Sequence, residues 1–340
     1  MLRAVELAGS HPTHPNPRVG AVVVADCGEV VGEGYHLGPG HDHAEVVALR
    51  EAGTRAIGAS VYVTLEPCSF TGRTPPCVEA LIEAGVGRVY VGVEDPDQRV
   101  SGSGIAALIA GGVGVEVWSD TGSAEAVDPA YFHHRRTGLP LVTVKYAMTL
   151  DGSVAASDGS SQWITGPEAR SDAHRLRSEC DAVVVGAGTL RQDDPRLDVR
   201  LKGFRGYQPR AVILAGSREL PGDRVIWERD PLVVSTVERS IPSGELIVVP
   251  GASLPDPTET ARALADRGLL ALLVEGGPVV MASWWTAGIV SRGVVYVGHR
   301  VGGGAGRPPM AGIFETIAHA SDVEVTDVRM VGPDVRIVFS

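Results

Sequence analysis

Short apolar runs alternate along the chain with stretches in which apolar residues recur at three- or four-residue spacing. In the first part, A-V-V-V-A (21–25), V-Y-V-T-L (61–65) and R-V-Y-V-G-V (88–93) read as buried strands. Residues 2–9, A-E-V-V-A-L-R-E-A-G from Ala44 and C-V-E-A-L-I-E-A-G from Cys77 carry helical spacing, the last with Pro75-Pro76 before it and Gly85 as its cap. A further helix, I-A-A-L-I-A-G-G, leads to strand V-E-V-W. Beyond residue 140 come L-V-T-V-K-Y-A-M, then apolar runs at 182–186, 211–215, 232–236, 246–250 and 270–275, with a helix over 258–268 before the last. V-E-V-T-D-V-R-M-V and V-R-I-V-F, separated by Gly332-Pro333-Asp334, predict a closing hairpin. This alternation predicts an α/β protein with mixed or parallel sheets covered by helices on both faces. The polar stretch Y-F-H-H-R-R-T-G-L-P (131–140) marks the boundary between domains at 1–140 and 141–340.

Chemistry-bearing residues gather at the ends of three of these elements. His43-Ala44-Glu45 opens a helix, Glu66-Pro67-Cys68 follows a strand, and Cys77 stands in the first turn of another helix, where the positive end of the dipole favours a thiolate. One imidazole and two thiols form a three-ligand zinc set with a fourth position left for water. H-x-E followed by P-C…C is the general pattern of zinc deaminases, in which the Glu shuttles protons and is not a ligand. That assigns His43, Cys68 and Cys77 to the metal and Glu45 to catalysis. Eight residues separate the two thiols, where the general pattern has two.

Composition narrows the partners. A net charge of −11 argues against nucleic acid or an anionic membrane surface, so an anionic substrate needs a local cation. The absence of a signal-like N-terminus and of any bilayer-length apolar run predicts a cytoplasmic protein. Cys27 and Cys180, with the two candidate ligands, do not form a disulfide framework. G-S-G-I-A-A (102–107) spells a dinucleotide fingerprint, but no strand runs directly into it, so that reading is rejected.

With G-R-T-P-P-C after E-P-C, N-P-R-V-G-A-V-V-V upstream, and K-Y-A-M-T-L-D-G and S-Q-W-I-T-G downstream, the chain resembles the bifunctional riboflavin-biosynthesis deaminase-reductase family over nearly its whole length. The resemblance implies a cytidine-deaminase-like three-layer α/β/α domain followed by a dihydrofolate-reductase-like α/β domain. It implies hydrolytic deamination of a phosphorylated diaminopyrimidine, then NADPH reduction of its ribosyl group. Zn2+ and NADPH are the implied cofactors, and a homo-oligomer stays open. Asn16 and His36 match pyrimidine positions, and Arg73 matches a phosphate-binding position. In the second domain Lys145, Ser161, Arg177, Leu197, Arg200 and Glu275 match substrate positions. Ala147, Trp163, Thr189 and Asp193 match cofactor positions, with the turn Gly277, Pro278, Val279, Val280, Met281, Ala282 and Ser283. Lys145 and Asp193 are the polar groups expected nearest the reacting ribose carbon.

The sequence departs from the family pattern at several points. Phe70 stands where His is usual, Ser153 where a basic residue follows D-G, and Ala215-Gly216 where the pair is more polar; 298–306 fits its loop loosely. Two rivals stay open at this level: a zinc deaminase of another base or nucleoside with an inactive second domain, and a protein whose zinc is structural.

Overall fold

The computed structural model describes residues 1–9, 13–72, 74–304, 306–312 and 316–340. The chain folds into two compact units, Met1–Gly138 and Leu139–Ser340.

The first unit runs α1 (Leu2–Ala8), β1 (Gly20–Val24), β2 (Val30–Tyr35), α2 (Ala44–Ala52), β3 (Ser60–Val63), α3 (Cys77–Glu83), β4 (Arg88–Val91), α4 (Ser103–Ala110), β5 (Gly114–Val117), α5 (Thr121–Glu125) and α6 (Pro129–Thr137). Its five strands lie in the order β2-β1-β3-β4-β5. β1 is antiparallel to both neighbours, and β3, β4 and β5 are parallel. The predicted mixed sheet is therefore present, although the third strand stops at Val63, before Thr64 and Leu65.

Strand β2, V-V-G-E-G-Y, was absent from the pattern because two glycines interrupt its apolar alternation. The glycines are there for α2, which lies directly on the strand. A Cβ added at Gly32 would stand 2.1 Å from the Ala48 carbonyl oxygen, and one at Gly34 2.2 Å from that of Ala44. Backbone oxygens cannot step aside as a side chain can, so these glycines set the height of α2, and with it His43 and Glu45. Gly34→Ala is expected to destabilise the first unit by about 1–3 kcal/mol through overpacking. Denaturant titration with a zinc assay checks this: melting and metal content should both fall.

The second unit contains β6 (Leu141–Met148), α7 (Pro167–Ser178), β7 (Ala182–Gly186), α8 (Ala187–Asp193), β8 (Arg210–Ala215), β9 (Leu232–Ser235), β10 (Glu245–Val248), α9 (Pro257–Ala265), β11 (Ala271–Val274), α10 (Pro278–Thr286), β12 (Arg292–Val297), β13 (Val325–Val331) and β14 (Asp334–Phe339). They make one nine-stranded sheet, β10-β9-β8-β7-β11-β6-β12-β14-β13, parallel from β10 to β12 and ending in the antiparallel β14-β13 hairpin. Its central runs are apolar at every position because both faces are covered. Ala182 and Val184 pack into one core, and Val183 and Val185 into the core on the opposite side.

Strand β12 and helices α7, α8 and α10 were not among the expected elements. The stretch Gly277 to Ser283 is not a turn: Gly277 is the N-cap of α10, and Pro278 occupies its first turn. Proline presets the helical φ there, and Val280, Met281 and Trp284 supply the buried face that holds the helix together. Helix α7 was not anticipated because P-E-A-R-S-D-A-H-R-L-R-S is mostly polar and buries only Ala169, Asp172 and Leu176.

Candidate metal centre and the second-unit pocket

His43 is the N-cap of α2, with extended backbone, while Cys77 is the first residue of α3. The helix starts and the Cys68 loop bring the three side chains together: one donor atom from each of His43, Cys68 and Cys77 lies within 4.8 Å of the others. Nδ1 of His43 is 3.1 Å from Cys77 Sγ and 3.6 Å from Cys68 Sγ. The other ring nitrogen, Nε2, is 3.3 Å from Thr74 Oγ1. A ligating His commonly fixes its tautomer through such a second contact. With Nδ1 on the metal side, Nε2–H donates to Thr74.

One of the two sulfurs is prepared as a thiolate. The Cys68 thiol is pulled well below its ordinary value by the hydrogen bond from the Cys77 side chain, with a further one from His43, against the effect of burial. Its sulfur also accepts from the Cys77 backbone N–H at 3.4 Å. Cys77 beside it is pushed up, first by its bond to Cys68 and then by burial. One imidazole and two thiols are a soft, tetrahedral donor set of the kind zinc takes. It is the single group of three or more metal-ligating side chains among the described residues.

Glu45 lies in the first turn of α2, only 3% exposed. Burial raises its pKa above the ordinary glutamate value, and the neighbouring His43 pulls the other way. Placed in the cavity beside the metal site, Glu45 is in position to take and return a proton. Glu45, His43, Cys68 and Asn16 all line one cavity of about 320 Å3.

Asn16 is held in this cavity by a short network. Its side-chain nitrogen is 2.9 Å from His36 Nε2, and His36 Nδ1 is 3.0 Å from the Asp42 carbonyl oxygen. The carbonyl can only accept, so Nδ1 carries the proton and Nε2 accepts from Asn16. The loop before it is tied down by Thr13, whose hydroxyl donates to the Asn16 carbonyl, and by the buried His14–Asp128 pair at 2.8 Å. Phe70 lines the same cavity with the Arg99 guanidinium 5.3 Å above its ring. Arg73 lies outside the described residues. Glu66 of the E-P-C motif is structural: its buried carboxylate accepts from the backbone N–H groups of Asp95, Gly102, Gly104 and Ile105, and so caps α4.

In the second unit, Lys145, Arg177 and Glu275 meet although they are far apart in sequence. Glu275 accepts from Arg177 Nε at 2.7 Å and Nη2 at 3.0 Å, and Lys145 Nζ is 3.5 Å from the same carboxylate. Arg177 Nη1 donates to the Asp198 carbonyl, so the nitrogens expected at a phosphate are engaged within the protein. Burial pushes the Glu275 carboxyl up, but the two cations outweigh it and hold it well below the usual carboxylate range. Arg200 is exposed and pairs with Asp198; Leu197 between these segments is buried with φ of +53°.

Among the cofactor candidates, Thr189 and Asp193 follow parallel strand β7 and the stretch 277–283 follows β11, at the strand ends where ligands of open α/β sheets bind. The β7–α8 and β11–α10 turns pack together: a Cβ at Gly186 would meet Val280 at 2.8 Å. One at Gly277 would stand 3.9 Å from Thr189 Oγ1, with no other atom among its near contacts. Gly277 thus faces the Thr189 hydroxyl, bringing the starts of α8 and α10 side by side. Asp193 is the last residue of α8, its pKa raised by burial. Ala147 lies in β6 opposite Tyr296. Ser161 and Trp163 line a separate cavity of about 230 Å3.

Two family models match separate parts of the chain. Residues 1–93 match the cytidine and deoxycytidylate deaminase zinc-binding region, and residues 140–337 match the RibD C-terminal domain. The class is a zinc-region deaminase joined to a reductase. A riboflavin biosynthesis protein RibD from Chlamydia muridarum is 39% identical over 96% of this chain and 91% of its own length. The Acinetobacter baumannii RibD structure superposes with a TM-score of 0.91 at 33% identity, covering 99% of this chain and 96% of that one. A Thermotoga maritima diaminohydroxyphosphoribosylaminopyrimidine deaminase/5-amino-6-(5-phosphoribosylamino)uracil reductase gives 0.87 at 30% identity, with 100% and 97% covered. The chain belongs to the RibD family of riboflavin-biosynthesis deaminase-reductases.

Proposed function

We propose that the first unit deaminates 2,5-diamino-6-(5-phosphoribosylamino)pyrimidin-4(3H)-one. We propose that the second unit then reduces the ribosyl group of 5-amino-6-(5-phosphoribosylamino)uracil to ribityl with NADPH. The observation that carries the first step is the approach of His43, Cys68 and Cys77 to one another, with buried Glu45 lining the same cavity as His43 and Cys68. Zinc held by those three side chains would supply a Lewis acid that makes water acidic near neutral pH. Glu45 takes a proton from the attacking water and delivers it to the departing amine. Asn16, fixed by His36, orients the pyrimidine, and Arg73 is assigned to the phosphate.

In the second unit the protein's task is placement of the hydride donor against the acceptor carbon. Gly277, the first turns of α10 through Ser283, Thr189 and Trp163 are assigned to NADPH, with Ala147 and Asp193. Lys145, Ser161, Leu197, Arg200 and Glu275 are assigned to substrate. Arg177 acts on that set through Glu275, whose carboxylate it orients. No helix among the described residues is long and apolar enough to cross a membrane. A cytoplasmic enzyme acting on a small phosphorylated pyrimidine accords with the acidic chain.

The test is incubation of the purified protein with the diaminopyrimidine phosphate, with and without NADPH, following ammonia and NADPH absorbance separately. Ammonia release in both conditions, and NADPH oxidation that depends on prior deamination, are expected. Ammonia without NADPH oxidation would overturn the reductase assignment, and no ammonia would overturn the deaminase assignment.

A further inference from the structure

Arg300 follows β12 and lines the second unit's cavity of about 230 Å3 with Ser153, Ser157 and Ser161, while the hydroxyl of Ser160, which also lines it, donates to Asp158. The backbone fixes it there: the Leu150 N–H donates to the Arg300 carbonyl at 2.7 Å. Among the described residues lining that cavity, Arg300 is the single charged one. Its guanidinium has no ion-pair partner among the described residues, whereas Arg177, Arg200 and Arg336 of the same unit each face a carboxylate.

The nearest turn does carry an acid, but that acid is engaged elsewhere. The Asp151 carboxylate accepts from the successive backbone N–H groups of Gly302, Gly303 and Gly304. It holds the glycine loop beside the cavity and makes no ion pair with Arg300. An unpaired guanidinium among hydroxyls, with no carboxylate lining the cavity, is matched to a phosphate dianion, which a planar guanidinium meets with two parallel N–H donors.

We infer that Arg300 and the hydroxyls of this cavity bind a phosphate monoester carried by a ligand of the reductase. The inference rests on the reductase reading and extends it, because the chemistry fits both the 5-phosphate of the substrate and the 2′-phosphate of NADPH. Kinetics separate the two sources. In Arg300→Ala the KM of the phosphate-bearing partner rises about tenfold or more, as loss of a charge-assisted contact implies. Its kcat is retained, and Arg300→Lys recovers part of the loss. Collapse of the NADPH-over-NADH preference supports the cofactor phosphate. Collapse of the preference for phosphorylated over dephosphorylated substrate supports the substrate phosphate. Both preferences unchanged would overturn the inference.

A second measurement needs no turnover and so separates failure of this site from failure of the reductase reading. Calorimetric titration of the full-length wild-type and Arg300→Ala proteins with inorganic phosphate is expected to show weaker binding in the variant. Equal binding would overturn the proposal. Unchanged thermal unfolding identifies the variant as folded, as expected for an exposed side chain.

Discussion

Glu45→Gln is expected to lower ammonia release by roughly 100- to 10,000-fold, the usual contribution of a positioned general acid-base group. The substitution keeps the shape of the side chain and removes its ability to carry a proton. Glu45 is assigned no role as a ligand, so zinc content should be unchanged. The reductase, given substrate already deaminated, should run at the wild-type rate. That combination separates a proton shuttle from a structural carboxylate: loss of zinc or of folding together with activity would mean that Glu45 supports the site mechanically. Ammonia release, metal analysis and NADPH oxidation on the same preparation decide between them.

The second large effect is expected at Glu275. Its carboxylate binds Arg177 and Lys145 in a mostly buried place, with side-chain exposures of 10%, 14% and 17%. Removing one partner from such a cluster leaves the others desolvated and unpaired, so Glu275→Ala should destabilise the second unit by about 3–5 kcal/mol. Four of the five tryptophans, Trp163, Trp227, Trp284 and Trp285, lie in that unit, so fluorescence-monitored denaturation reads it directly. NADPH oxidation should be lost as well, since Lys145 is no longer held.

The same carboxylate sets a pH dependence whose sign is fixed. Its folded pKa lies below the ordinary glutamate value of 4.5, so it contributes stability that is present above that value. The contribution is lost as pH falls toward the lower folded value. Glu275→Gln should therefore flatten the decline in second-unit stability below about pH 4.5. A decline of equal steepness in wild type and variant would show that Glu275 is not its source.

The metal centre was legible in the sequence because its chemistry admits few residue types. Imidazole, thiol and carboxylate had to appear, and each sat at a helix start or strand end. Thr74, which contacts the other nitrogen of His43, carried no such signal; a threonine in a loop has many ordinary uses. Most strands with uninterrupted apolar runs were equally plain, although β12 was missed, whereas β2 was hidden by the glycines that admit α2. The grouping of Lys145, Arg177 and Glu275 joins a strand, a helix and a strand end that are far apart in sequence, and only the parallel sheet brings them together. Resemblance named these three as substrate residues, but it could not reveal that Arg177 spends its donors on Glu275 and Asp198.

The central claim is that His43, Cys68 and Cys77 hold one zinc ion and leave a coordination position for water. Zinc quantification combined with X-ray absorption at the zinc edge on the full-length protein tests it most directly. One zinc per chain, bound by two sulfurs with nitrogen and oxygen completing the shell, and lost in Cys77→Ser, is the predicted result. A metal-free protein that still releases ammonia, or a zinc shell with a third sulfur, would contradict it.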